Sequence, residues 1–215
     1  MNPQVEDFEK DFYLQGRESL DKDIYLTCPV RKASDDDKLF LAKYVNFLEK
    51  SGTGVYYPKW DTNQKDDSIG DKICSRNKQG ILNAKQGVHK YLSGTSEGSM
   101  FDDGMTFMAE KPIRIINPQE IENSHKNVQG FLNGYCFDKK DDKYKKMLDR
   151  KEEIKNKGFI EYQYWGKTPE FLFDFGMTFM AEKPIVLLNK NMISKTKGKS
   201  FENLLLEIDK RSRNM

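Results

Sequence analysis

The sequence predicts an α/β fold built on a doubly wound parallel sheet. Apolar runs of strand length alternate with stretches of helical periodicity through four strands. Chain length agrees, since 215 residues suit one α/β domain with an embellishment. An internal repeat then adds a partial strand–loop–helix–strand duplication to that domain.

The elements follow in order. Residues 1–22 form a polar lead-in. DIYLTCPV (23–30) is a short apolar run bounded by charge, which predicts a buried strand. Ser34 and Asp37 have the spacing of a capping box. Behind them Leu39, Leu41, Ala42, Val45 and Leu48 recur at helical spacing until Ser51-Gly52. GVYYP (54–58) predicts a second strand, DTNQKDDSIGD (61–71) a polar loop, and ICSRNKQGILNA (73–84) a second amphipathic helix. GVHKYL (87–92) predicts the third strand and SGTSEGSM (93–100) a loop of small residues. FDDGMTFMAE (101–110) predicts a third helix and KPIRIIN (111–117) a fourth strand.

FDDGMTFMAEKPIRIIN (101–117) recurs 72 residues later as FDFGMTFMAEKPIVLLN (173–189), with 13 of 17 positions identical. The stretch before each copy matches in type, GVHKYLSG (87–94) against FIEYQYWG (159–166). The domain plan is therefore a lead-in (1–22), a core (23–117), a polar insertion (118–158), and a repeated unit with a C-terminal helix (159–215) completing the same domain. In the insertion, Tyr144, Met147, Leu148 and Ile154 predict one stripe of a surface helix. The second copy is expected to extend the sheet or to build an oligomer contact.

Composition excludes several classes. The chain carries 14 Phe, 10 Tyr and 9 Met, enough bulk for a packed core. Its net charge of +2 calls for neither a nucleic-acid polymer nor a membrane as partner. No 18-residue apolar run is present. The acidic, polar start is unlike a signal peptide. Cys28, Cys74 and Cys136 form no CxxC pair, which fits reduced thiols in the cytoplasm. His89 and His125 have no second His or Cys at ligand spacing, so neither a metal site nor a cofactor is expected. P-loop and GxGxxG signatures are absent.

Parallel sheets of this kind bind ligands at the carboxyl ends of their strands. There the sequence places Arg31, an anion partner directly after the first strand, and the small residues Ser96, Gly98 and Ser99 ahead of a helix. Asp102 falls in the first turn of that predicted helix, where the dipole is expected to keep it ionised. An ionised carboxylate there is a candidate nucleophile toward a sugar carbon. The plain alternatives are a helix-stabilising Asp, a tight turn and a solvated Arg.

IYLTCPVRKAS (24–34), YYPKWDTNQKD (56–66), ICSRNKQGI (73–81) and TSEGSMFDDGMTFMAEKPIRIIN (95–117), in that order, resemble the nucleoside 2-deoxyribosyltransferase family and its nucleoside 5′-monophosphate N-glycosidase relatives. KGKSFENLLLEI (197–208) is similar to the closing segment of bacterial members. The resemblance implies a Rossmann-like fold, a homo-oligomer, and cleavage or exchange of the N-glycosidic bond through a glycosyl-enzyme. It implies a nucleoside or nucleotide as the small-molecule substrate. It puts the nucleophile on Asp102, where several members have Glu, and the residue that orients it on Tyr25. Gln64 matches the base-reading Gln. Asn77 matches a position often held by Asp, and an Asn has no titratable proton to give. Ser96 matches an Asp of some transferases and a phosphate-binding Ser of the monophosphate glycosidases, and Arg31 an Arg of the phosphate-using relatives.

Two departures stand out. Asp103 occupies a usually apolar position, and helical geometry turns it about 100° from Asp102. In the second copy Asp174 follows KTPEFLF (167–173), where Glu170 and Phe171 replace Gly98 and Ser99, so the active copy is expected to be the first. A transferase and a hydrolase both remain open. The rival from another class is a non-catalytic nucleotide sensor.

Overall fold

In the computed structural model the described residues are 19–30, 33–63, 69–93, 96–118 and 142–215. β1 (Ile24–Thr27) lies inside a four-stranded sheet with β2 (Val55–Tyr56), β3 (Gly87–Lys90) and β4 (Ile113–Ile115). The order is β2-β1-β3-β4 and every pairing is parallel, with Tyr25 opposite Tyr56 on one side and Val88 on the other.

Side chains alternate across a strand, so each strand feeds two cores. Leu26 and Val55 face α1 (Asp35–Lys50), packing with its Leu41, Ala42 and Val45. Tyr25, Tyr56 and Val88 face α3 (Asp71–Asn83) and α4 (Glu97–Met108), packing with Ile81, Phe101 and Met105. A one-turn helix, α2 (Pro58–Asp61), follows β2. The capping box is present: Ser34 Oγ accepts from Asp37 N at 3.1 Å and Asp37 Oδ2 from Ser34 N at 3.0 Å.

Past residue 141 the chain repeats this plan with α5 (Asp142–Asn156), β5 (Ile160–Tyr162), α6 (Pro169–Met180) and β6 (Ile185–Leu187). A 3₁₀ turn (Lys190–Met192) and α7 (Phe201–Ser212) close it. The expectation that the second copy extends the sheet is corrected. β5 and β6 pair with each other, parallel, as a separate two-stranded sheet. The reason lies in the helices. α4 and α6 pack face to face, and each is kept close by a glycine. A Cβ on Gly104 would overlap the Phe173 carbonyl, and one on Gly176 would overlap the Phe101 carbonyl.

Positions 101 and 173, like 104 and 176, correspond in the repeat, so the crossing is two-fold in pattern. Flanking contacts follow the same rule. Lys78 on α3 reaches Glu182 at 2.6 Å and lies over the Phe179 ring, while Lys151 on α5 reaches Glu110 at 2.8 Å and lies over the Phe107 ring. Asn117 brackets Leu92 with bonds to its N–H and C=O, and Asn189 brackets Tyr164 in the same way. α5 thus stands to β5 as α3 stands to β3. The helix read as a surface stripe buries Ile154, and its Tyr144, Met147 and Leu148 pack on the core.

Candidate functional site

At the carboxyl end of β1, under the start of α4, lies a cavity of about 230 Å³. Asp102, Asn77, Ser96, Gly98 and Ser99 all line it, so five sequence-predicted positions meet there. Arg31 and Gln64 lie outside the described residues. Phe101, Phe201 and Leu204 supply apolar wall, the last two from the segment that ends in α7.

The small-residue loop is shorter than the spacing predicts. Ser96 is the N-cap of α4, its hydroxyl accepting from Ser99 N at 3.5 Å, so residues 97–100 are already helical. Asp102 therefore sits in the second turn, buried, and the expectation that the dipole holds it ionised is corrected. Burial, reinforced by the charge of Asp103, pushes its carboxyl up to about 7, against hydrogen bonds from Tyr25 and Asn77 and the charge of Lys90. The dipole effect fades beyond the first turn, and desolvation wins.

Tyr25 OH donates to Asp102 Oδ2 at 2.7 Å, and Asn77 Nδ2 approaches the same oxygen at 3.5 Å. Asn77 is oriented from behind. Thr62 Oγ1 donates to Asn77 Oδ1 at 2.8 Å, which turns the amide nitrogen toward Asp102. Thr62 Oγ1 lies 2.6 Å from Tyr56 OH, and the Tyr56 ring stacks on Tyr25 with centroids 5.3 Å apart. Both donors to Asp102 use Oδ2, so Oδ1 accepts no hydrogen bond among the described residues. Burial and the Asp102 charge raise the Tyr25 phenol well above its usual range, so it serves as a donor. Cys28 also lines the cavity, and burial pushes its thiol up to about 12, so it stays protonated at neutral pH.

Asp103 turns away from Asp102, as helical geometry predicts, into a buried ion pair with Lys90 of β3, Nζ to Oδ2 at 2.8 Å. Lys90 also donates to Ser99 Oγ. Sequence reading missed Lys90, Tyr56 and Thr62. A lysine within an apolar strand was the available signal for the first, but the network through Tyr56 and Thr62 has no local signature.

In the second copy Asp174 is engaged differently. Arg150 of α5 donates to both its carboxylate oxygens, through Nε at 3.1 and 3.1 Å and through Nη2 at 2.9 Å. Arg150 reaches Asp174 from α5 as Asn77 reaches Asp102 from α3. Phe171 and Phe175 stand where the first copy has Ser99 and Asp103.

Among the described residues no group of three or more His, Cys, Asp or Glu is placed to hold a metal ion. Among them, too, no helix is long and apolar enough to cross a membrane. Comparisons with family models, with curated proteins and with solved structures found no match.

Proposed function

We propose that the chain cleaves or exchanges the N-glycosidic bond of a (deoxy)nucleoside or nucleoside 5′-monophosphate through a glycosyl–Asp102 intermediate. The observation that carries this reading is one carboxylate on a cavity wall, held on Oδ2 by Tyr25 and Asn77 and with Oδ1 unengaged. A cavity of about 230 Å³ sits just below the small-ligand range of about 300–1,000 Å³, so it suits one small molecule. Its apolar wall suits a planar base.

In the first step Asp102 Oδ1 attacks the anomeric carbon. The C–N electron pair leaves with the base, which takes its proton from solvent because Asn77 has none to give. In the second step water or an acceptor base attacks the same carbon and gives up its proton to solvent, the ester bond breaks, and the carboxylate is restored. Two inversions give net retention. Attack needs the ionised carboxylate, so a group poised near 7 makes the rate climb across neutral pH.

The same reading takes the fold as Rossmann-like, supported by the parallel order β2-β1-β3-β4 with helices on both faces. It takes the two copies as a duplication, supported by the paired contacts across α4 and α6. A cytoplasmic setting is supported by Cys28 and Cys74 as free thiols. A homo-oligomer remains part of the proposal.

The test is to incubate the protein with deoxynucleosides and their monophosphates, with and without an acceptor base. Free base without acceptor identifies a hydrolase, and exchange only with acceptor identifies a transferase. Binding without turnover of any substrate would replace this reading with that of a sensor.

A further inference from the structure

Lys90, Asp103 and Ser99 form a polar cluster inside the α4 face of the sheet. Lys90 is 1% exposed, Asp103 0% and Ser99 3%. Burying this ion pair is costly, and the cost is incomplete in its return: Asp103 Oδ1 is buried with no hydrogen-bond partner. The fold does not need the arrangement. At the corresponding places the second copy carries Tyr162, Phe175 and Phe171. Those rings pack on one another with centroids 5.4–6.4 Å apart, on the same strand–helix–strand plan. Apolar replacement of a buried ion pair is often neutral or stabilising, and this chain carries such a replacement in its own second half.

What the polar version changes is Ser99, which lines the cavity. A lysine ammonium only donates, so Ser99 Oγ accepts from Lys90. The hydroxyl proton is left to point elsewhere, and no acceptor among the described residues takes it. Asp103 fixes Lys90 in turn, holding Nζ at 2.8 Å.

We propose that Lys90, anchored by Asp103, is a positioning residue that turns Ser99 into an oriented hydrogen-bond donor for an acceptor oxygen of the bound substrate, on its sugar or its phosphate. This rests on the reading of Asp102 as the nucleophile for its activity readout. Ser99 touches substrate; Lys90 acts through it.

The test compares kcat/KM for a 2′-deoxynucleoside and its 5′-monophosphate in the parent protein, Ser99→Ala, the pair Lys90→Met with Asp103→Leu, and all three changes together. Ser99→Ala and the pair should each lose about tenfold, chiefly through KM, and the combination should lose no more than either alone. A loss confined to the monophosphate assigns the oxygen to phosphate, and a loss on both compounds assigns it to the sugar. Losses that multiply to about a hundredfold overturn the coupling. So does a pair variant within about threefold of the parent in a protein that melts cooperatively. Should the pair not fold, Ser99→Ala leaves the ion pair in place, and Ser99→Thr restores the hydroxyl. Recovery by Thr alone supports the proposal, and an unimpaired Ser99→Ala overturns it. If the parent turns over neither compound, the reaction reading falls, and calorimetric titration with the same two compounds decides. Weaker binding by both variants than by the parent supports the role of Lys90, while equal binding, or none by the parent, overturns it.

Discussion

The segments around Asp102 and Asp174 share a helix sequence and a helix crossing, yet they differ in what surrounds the carboxylate. In the first, Tyr25 and Asn77 hold one oxygen and a cavity opens beside the other. In the second, Arg150 occupies both oxygens and aromatic rings fill the space of Ser99 and Asp103. The contrast teaches that how far a carboxylate here is engaged is set by its neighbours. Asn77 supports Asp102 without neutralising it, whereas a guanidinium on both oxygens engages the whole carboxylate.

The largest expected effect breaks the comparison outright. Asp102→Asn should lower turnover by about a thousandfold or more while the protein stays folded. Asp174→Asn should keep most of the activity and cost about 1–3 kcal/mol of stability, because Arg150 loses its charged partner. Mass spectrometry of protein quenched during turnover checks this. A sugar adduct on the Asp174 peptide, with none on the Asp102 peptide, would reverse the assignment.

The second prediction concerns protons. The folded Asp102 carboxyl stands at about 7 against 3.8 when free, so the folded state holds its proton more tightly than the unfolded state. Its favourable contribution is complete below about pH 3.8 and is lost as pH rises to about 7. Above that, Asp102→Asn should be more stable than the parent by up to about 4 kcal/mol, and the two should converge in acid. Denaturant melts at pH 5 and pH 8 measure this. The parent's kcat/KM should rise through about pH 7 and level off above it, and a flat profile would remove ionisation of Asp102 from the mechanism.

Next in size comes the crossing of α4 and α6. Gly104→Ala and Gly176→Ala each place a Cβ on the opposing backbone, and each should cost about 1–3 kcal/mol. Thermal melts should show the two losses similar, since the contacts mirror each other. A tolerated Gly176→Ala beside a damaging Gly104→Ala would sharpen the contrast between the halves.

The smallest effect belongs to the outer ion pairs. Glu182 beside Lys78 and Glu110 beside Lys151 are largely exposed, so Glu182→Gln or Glu110→Gln should change stability by less than about 1 kcal/mol. A larger loss in chemical denaturation would mean that these pairs fasten the halves together.

Alternation of apolar runs with helical periodicity was enough to read the parallel α/β plan, because burial on both sheet faces leaves a mark at every strand. Capping chemistry is equally local, and Ser34 with Asp37 formed the bonds their spacing predicts. The repeat was visible as identity. Its consequence was not, because whether β5 joins the first sheet depends on how α4 and α6 cross, and Gly104 and Gly176 act only when the other helix is present. Asp102 could be named from its place at a predicted helix start, and Tyr25 and Asn77 from the resemblance. Their convergence, the Thr62–Tyr56 support behind Asn77, and the Lys90–Asp103 pair came only with the tertiary structure, since hydrogen bonds across 13 to 77 residues leave no periodicity. The ionisation of Asp102 was read wrongly for the same reason. A helix start is a local feature, whereas the depth of burial that overrides it belongs to the whole packed fold.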